Sequence, residues 1–400
     1  MFAYSKLAEP EMTPTKTLFF LLFCVVWVGT GLIGHDPWKP DEDFSFGIAF
    51  QMLQSGDWLI PALAGEPVMD KPPLFYITAA AFAKLFSPWL PLHDGARLAS
   101  GFYNALTLMF IGFAGRELFG KGRGWVSAII LIGCLGMLVR THFLVTDLAL
   151  LTGCAMMIYG YALSLRRTLL PGLLIGTGMG IGFMSKGFIA PILFVSISST
   201  LLLFPAWRTR TFLTTLAVAL VAALPWLAIW PWLLYQRSPQ LFAEWAWKLN
   251  IGRWLDFAQH GKFHEVFYYV KILPWFAWPA LPMGAWAVWH ARKKVLQQPE
   301  FQLLLVTFLV MLITLSIVPN IEEIFALPML LPLSLLATAS LSSLRRGAAN
   351  ALDWFGIMTF GFIASARAIA TRCCWPPESW AGSLGAWLAT PTRSSSAMAS

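Results

Sequence analysis

Long apolar segments recur along this chain of 400 residues, and they constrain its fold more than any other feature. A membrane-spanning helix needs about 20 predominantly apolar residues. Ten segments approach this length, at residues 17–34, 97–115, 124–139, 144–164, 169–185, 187–206, 211–235, 271–290, 301–318 and 324–344, and a weaker eleventh lies at 354–364. Charged residues make up only 12% of the chain, against about 25% in soluble domains. The sequence therefore predicts an all-α polytopic membrane protein with about 10–11 spans.

Positive charge is concentrated in the short connections between these segments. The basic clusters are Arg116/Lys121/Arg123, Arg166/Arg167, Arg208/Arg210, Arg292/Lys293/Lys294 and Arg345/Arg346. If the spans alternate, every cluster falls on the side of the N-terminus, and the positive-inside rule makes that side cytoplasmic. The first segment has no small-residue cleavage site after it, which favours a retained span over a signal peptide. We therefore predict a multi-pass protein with a cytoplasmic N-terminus.

Two connections on the opposite side, residues 35–96 and 236–270, are too long to be simple turns. Within the first, residues 42–54 and 74–85 have the pattern of short amphipathic helices that lie at a bilayer surface. A channel or scaffold has no need of so much ordered chain on one face. The asymmetry indicates chemistry at the outer surface.

The end of the chain departs from this pattern. After Phe362 the periodicity stops, and Arg, Ser, Cys and Pro dominate. This pattern is typical of a frameshifted or truncated gene, and a genuine disordered tail is the alternative. We predict one transmembrane domain at 1–364 and an unstructured tail at 365–400.

Several ionisable residues stand beside or inside apolar segments, where charge is costly and usually functional. Asp41 and Glu42 follow the first segment and can supply a general base, or Asp41 can cap a helix N-terminus. Lys71 precedes two prolines and can bind a phosphate, or it can be a lysine that reaches from apolar surroundings to the interface. Asp147 and Lys186 lie at the outer ends of two spans. Lys186 is either an anion ligand or structural.

Two further groups are weaker candidates. His260 and His264 have the i, i+4 spacing that can place two metal ligands on one helix face, but Gly261 lies between them and two solvated histidines are the simpler interpretation. Glu322 and Glu323 can orient a sugar or cap the next helix. Nucleotide-binding and hydrolase motifs are missing from the sequence, so any chemistry needs a donor that is available outside the cytoplasm.

Taken together, Pro-Asp-Glu at 40–42, Met-Leu-Gln-Ser-Gly-Asp-Trp-Leu-Ile-Pro at 52–61 and Lys-Pro-Pro-Leu at 71–74 resemble one known group. This is the dolichyl-phosphate-mannose–protein mannosyltransferase-like superfamily of lipid-linked-sugar glycosyltransferases, which have the GT-C fold. The bacterial aminoarabinose lipid A transferase branch is the most similar. Later fragments, including Thr146-Asp147 and Ser185-Lys186-Gly187, also fit, and the resemblance covers residues 15–345.

The resemblance implies a GT-C-type transmembrane helix bundle and an enzyme of hexosyl or pentosyl transfer that acts at the periplasmic face of the bacterial inner membrane. Asp41, with Glu42 beside it, would activate the acceptor, and Asp147 would be a carboxylate of the active-site cavity. Lys71 and Lys186 would bind the donor phosphate. Asp70 would be a metal ligand, with His264 or His260 as its partner.

Expected partners are a polyprenyl-phosphate-linked sugar donor, a lipid A, glycan or protein acceptor, and membrane lipids, without nucleic acid. A divalent metal is the candidate cofactor, and no nucleotide cofactor is expected. A transporter or flippase of lipid-linked sugars and a truncated inactive glycosyltransferase are the alternative hypotheses. One departure from the family matters: Phe325 stands where a tyrosine is common, and Glu322 and Glu323 stand where a basic residue is common.

Overall fold

The computed structural model describes residues 13–37, 41–252, 267–292, 295–317 and 322–341, and the single residues 350, 354, 357, 358, 361 and 365. The chain divides into two compact units, residues 1–343 and residues 344–400. The six described residues of the second unit have helical backbone. The predicted domain boundary at 364 and the predicted lack of structure after it remain predictions.

Within its described residues the first unit is almost entirely helical. Its α-helices are α1 (Pro14–Gly29), α2 (Asp41–Ser55), α3 (Leu74–Phe86), α4 (Leu92–Phe119), α5 (Gly124–Ile132), α6 (Leu135–Arg140), α7 (Asp147–Leu163), α8 (Leu169–Lys186), α9 (Ile189–Leu201), α10 (Arg210–Arg237), α11 (Pro239–Ala243), α12 (Tyr268–Phe276), α13 (Ala280–Ala291), α14 (Pro299–Ser316) and α15 (Leu327–Ser340). Two 3₁₀ turns, Pro205–Trp207 and Glu323–Ala326, and a π-helix, Glu244–Gly252, complete the helical set.

The β-structure among the described residues is a short hairpin, whose two strands have two residues each. Strand β1 (Ala62–Leu63) pairs antiparallel with β2 (Glu66–Pro67), with Ala62 opposite Pro67. The turn between them places Ala64 at φ 54° and Gly65 at φ 87°, a region that glycine enters at no steric cost. The hairpin therefore marks a tight bend between α2 and α3.

Five described helical stretches are long and apolar enough to cross a membrane: α4, α8, α10, α14 and the run from Glu323 to Ser340. Shorter apolar helices are α1, α3, α7 and α9. Each of the ten predicted apolar segments contains helix, but two of them are broken. The segment 124–139 divides between α5 and α6 at Gly133–Cys134, and the segment 271–290 divides between α12 and α13. The second break covers residues 277–279 and ends at Pro279, the N-cap of α13, where proline supplies no N–H for a helical hydrogen bond.

Helices are confirmed at both positions where amphipathic helices were predicted, and their place at a bilayer surface stays a prediction. The prediction for 42–54 corresponds to α2, and the prediction for 74–85 corresponds to α3. Three carboxylates in the first turn of α2 complement the helix dipole, and Gly56, at φ 71°, follows its last residue.

Helix α7 lies at the centre of the first unit and is buried along most of its length. It packs against α4, α8 and α15. The antiparallel contact with α8 is close because glycines face each other: a Cβ added at Gly178 would lie 2.6 Å from the carbonyl oxygen of Gly153. Small residues at such positions let two helix backbones approach in a membrane bundle. The start of α7 is thereby placed beside the end of α8.

Candidate active site

Two of the predicted site residues form a buried ion pair. Asp147 opens α7 and Lys186 ends α8, and the Lys186 Nζ lies 2.8 Å from the Asp147 Oδ1. Their side chains are 6% and 5% exposed, respectively. Two desolvated charges at one end of a helix pair are stable together and costly apart.

Further charged groups lie close to this pair. Lys71 and Glu322 are both within electrostatic range of the Lys186 ammonium. Two ammonium groups near each other, of which one is almost fully buried, give a place that favours an anion with more than one acceptor oxygen. The structure thus brings together the two lysines that the sequence predicted as phosphate ligands.

Tyr76, in the first turn of α3, joins the same group and was not singled out from the sequence. Its side chain is buried. Burial raises the pKa of Tyr76 above its ordinary value, and the carboxylates of Asp147 and Asp70 raise it further. The phenol therefore keeps its proton and remains a hydrogen-bond donor at neutral pH. The predicted residue Asp70 lies at the solvent-exposed edge of this group.

Asp41 and Glu42, adjacent in sequence, occupy opposite environments. Asp41 is exposed at the start of α2, whereas Glu42 is 1% exposed. One oxygen of Glu42, Oε1, accepts hydrogen bonds from the Arg97 Nε at 3.2 Å and from the backbone N–H of Leu144 at 2.8 Å. Of the two predicted carboxylates, Asp41 is the one open to solvent.

Arg97 extends this contact into a buried network. Its Nη1 donates to the Asp94 Oδ1 at 2.7 Å and to the carbonyl of His35 at 2.8 Å. Asp94 in turn accepts from the backbone N–H of Gly34 at 3.1 Å. The network joins the segment after α1, the start of α2, the start of α4 and the segment that leads to Asp147. It therefore holds the N-terminus of α2, and with it Asp41, against the start of α7.

We expect Arg97→Leu to lower the free energy of unfolding by about 3–5 kcal/mol, because two buried carboxylates lose their cation. Thermal unfolding of the detergent-purified protein measures the change. Arg237→Leu is the matched control, since Arg237 pairs with Asp57 at 3.5 Å with 64% of its side chain exposed, and exposed pairs contribute about 0–1 kcal/mol. Equal melting temperatures for the two variants would contradict a structural role for the Arg97 network.

The turn at 322–326 covers the site. The Phe325 ring centroid lies 4.2 Å from the Lys186 Nζ. Glu323 pairs with Arg140 at 2.8 Å, and the Tyr269 hydroxyl donates to the carbonyl of Glu322 at 3.1 Å. Of the two roles that the sequence left open for the acidic pair, the structure pairs Glu323 with an arginine and leaves Glu322 exposed near the site.

A buried cluster of aromatic and apolar side chains lies next to both lysines. Phe183, Trp230 and Trp245 pack with Met69 and Met184, and the Trp230 indole N–H donates to the carbonyl of Leu59 at 3.0 Å. Met69 precedes Lys71 by two residues, and Met184 precedes Lys186 by two. The cations therefore stand at the edge of a buried apolar cluster.

Known proteins are similar to this chain in sequence and in fold. Residues 70–235 match the family model for dolichyl-phosphate-mannose-protein mannosyltransferase. The undecaprenyl phosphate-alpha-4-amino-4-deoxy-L-arabinose arabinosyl transferase of Serratia proteamaculans (strain 568) is 29% identical over 338 residues, which cover 80% of this chain and 58% of that protein. The transferase of the same name from Pectobacterium carotovorum subsp. carotovorum (strain PC1) is 30% identical over 339 residues, which cover 82% and 59%.

The crystal structure of ArnT from Cupriavidus metallidurans bound to undecaprenyl phosphate matches the fold with a TM-score of 0.67 at 17% identity, over 92% of this chain and 67% of that chain. The chain has the GT-C fold. The predicted GT-C bundle and the predicted similarity to the aminoarabinose transferases are confirmed. The GT-C chain spans about three fifths of the length of the two transferases from Serratia and Pectobacterium.

The metal site predicted for this GT-C protein stays a prediction. His260 and His264 lie outside the described residues. Among the residues that are described, no three His, Cys, Asp or Glu side chains come together as ligands. Within the described part of the chain, Asp70 therefore has no second and third ligand of this kind beside it.

Proposed function

We propose that this protein transfers a sugar from a polyprenyl-phosphate carrier to a hydroxyl group of an acceptor, with lipid A as the first acceptor to test. The buried Asp147–Lys186 pair with Lys71 beside it carries the proposal, because it provides an anion site next to an apolar and aromatic cluster. A polyprenyl phosphate has this combination of a charged head and an apolar tail. The similar transferases are named for such a donor.

The reaction we infer begins at Asp41. Its carboxylate takes the proton of the acceptor hydroxyl, and the acceptor oxygen forms a bond to the anomeric carbon of the sugar. The bond from that carbon to the carrier phosphate breaks, and its electron pair leaves with the phosphate oxygen. Attack opposite the leaving group inverts the anomeric configuration, and the products are the glycosylated acceptor and free polyprenyl phosphate.

Lys71 and Lys186 stabilise the departing phosphate in this mechanism. Charge that develops on a leaving group is stabilised most by cations that are already in place and desolvated. Tyr76, protonated, can donate a hydrogen bond to the same oxygens. The donor needs no cytoplasmic nucleotide, because the sugar arrives already linked to a phosphate leaving group.

Glu42 acts indirectly in this proposal. Its carboxylate is bound by Arg97 and by the backbone of Leu144, so it positions α2 and does not receive the proton. We therefore assign the general base to Asp41 and a positioning role to Glu42.

We propose that the site faces the periplasm. The α7–α8 hairpin carries Arg166 and Arg167 in its turn, and it carries Asp147 and Lys186 at the opposite end. The positive-inside rule puts a basic turn on the cytoplasmic side of the bacterial inner membrane, which gives a cytoplasmic N-terminus if the spans alternate.

Reconstitution tests the proposed function. The full chain in lipid nanodiscs is mixed with undecaprenyl phosphate-linked 4-amino-4-deoxy-L-arabinose and lipid A, and mass spectrometry follows the acceptor. We expect lipid A to gain the mass of one sugar, in step with release of undecaprenyl phosphate. Release without a glycosylated acceptor would contradict the proposal. A parallel preparation in sealed lipid vesicles tests the flippase alternative: movement of the intact donor across the membrane without transfer would contradict the proposal and favour a flippase.

A further inference from the structure

The Lys186 ammonium lies between two groups of different chemistry. One is the carboxylate of Asp147, at 2.8 Å. The other is the ring of Phe325, whose centroid lies 4.2 Å from the Nζ and whose residue is only 8% exposed. A cation within about 6 Å of an aromatic centroid is attracted by the negative face of the ring, and the attraction is strongest when both groups are desolvated.

The ring is held in place by contacts of its own turn. Phe325 belongs to the 3₁₀ turn Glu323–Ala326, which runs directly into the buried helix α15. Ahead of the ring, Glu323 is tied to Arg140 and the carbonyl of Glu322 is tied to Tyr269. A ring anchored on both sides offers its face at a defined position, and little freedom is lost when the cation settles on it.

An aromatic face differs from a second carboxylate in one respect that matters here. It attracts the ammonium without neutralising its charge, and it offers no oxygen that would compete with an incoming anion for the N–H groups. We propose that Phe325 is a positioning residue that holds the Lys186 ammonium for the donor phosphate through a cation–π contact. The inference rests on the proposed function for the identity of the anion, and it adds to that function a residue that touches no reacting atom.

A fluorination series at Phe325 tests the contact. Incorporation of 4-fluoro-, 3,5-difluoro- and 3,4,5-trifluorophenylalanine withdraws electrons from the ring face in steps and changes its size little. The series is prepared in two backgrounds, the natural chain and a chain with Asp147→Asn and Lys186→Met, which removes both charges together. In each background the melting temperature is measured, and in the natural chain the Kd for undecaprenyl phosphate is measured as well.

In the natural background we expect the melting temperature to fall with each fluorine, by about 2–4 °C over the series, and to stay flat in the background without charges. The Kd for undecaprenyl phosphate should rise about tenfold over the series, which corresponds to about 1.4 kcal/mol. Phe325→Tyr and Phe325→Trp keep an aromatic face and should retain binding, whereas Phe325→Leu should behave like the trifluorinated ring.

Three results would overturn the inference. Equal slopes in the two backgrounds mean that fluorine acts on packing and not on the cation. A falling melting temperature with an unchanged Kd means that the contact is structural only. Failure of the natural chain to bind undecaprenyl phosphate removes the anion for which Lys186 would be held. The transfer assay is separate: a chain that binds the lipid with the expected fluorine dependence but transfers no sugar contradicts the proposed function and leaves the cation–π contact standing.

Discussion

Asp41→Asn should lower the rate of sugar transfer by about 10²–10⁴-fold, the usual contribution of a general base. An asparagine amide has almost the shape of the carboxylate but cannot take the proton of the acceptor hydroxyl. Asp41 is exposed, and no ion pair or hydrogen bond of its side chain is found within the described residues, so the fold should not depend on it. Initial rates of lipid A glycosylation, with the melting temperature as a check on folding, measure the effect.

Asp43→Asn is the matched control for this variant. Asp43 lies in the same first turn of α2. Asp43→Asn therefore changes the net charge and the interaction with the helix dipole in the same way as Asp41→Asn. We expect its transfer rate to stay within about fivefold of the natural chain, because loss of one charge at the helix dipole changes stability by only about 0.3–1 kcal/mol. Comparable losses in the two variants would place the effect on helix stability and would remove Asp41 from the role of base.

Lys186→Met should strongly lower both the rate of sugar transfer and the stability of the fold. It removes a phosphate ligand, and it leaves a buried carboxylate without its cation. Breaking one side of a buried pair costs about 3–5 kcal/mol of folding free energy. The side chains are similar in length, so the loss comes from charge and not from a cavity. Thermal unfolding and the transfer assay are measured on the same preparation.

The double variant Asp147→Asn with Lys186→Met separates the two effects. Removal of both charges leaves no unpaired ion, and a buried pair replaced as a whole is often neutral in stability. We therefore expect the melting temperature to return toward that of the natural chain and transfer to remain absent. If transfer returned together with stability, Lys186 would be a structural residue and the phosphate would have to bind elsewhere.

Much of the architecture follows from the sequence. A chain that crosses a membrane must satisfy its backbone hydrogen bonds within helices, and these helices are recognisable as long apolar segments. The helices α2 and α3 were also predictable from their pattern. The breaks inside segments 124–139 and 271–290 were not, since Gly133 and Pro279 stand among residues that are equally apolar on both sides. One long span and two short helices read alike when only hydropathy is considered.

Asp147 and Lys186 could each be singled out, because a charge in apolar surroundings is rare. Their pairing could not be predicted, since it depends on which residues of α7 and α8 face each other at the contact between their glycines. Nor could the sequence separate Asp41 from Glu42, which point about 100° apart on one helix. The resemblance singled out Phe325 because a tyrosine is common at its position, but its contact with the Lys186 ammonium is visible only in the structure.

The hairpin of α7 and α8 has a practical consequence for labelling this protein. Its alignment is set where the backbones of Gly153 and Gly178 meet, within the paired helices. The connecting residues 164–168 lie at the far end, where Arg166 makes an exposed ion pair with Glu117. Arg166 and Arg167 are exposed, and we expect a peptide tag inserted between them to leave the backbone contact and the distance between the helix ends that carry Asp147 and Lys186 unchanged. This connection is therefore a suitable attachment point for a reporter.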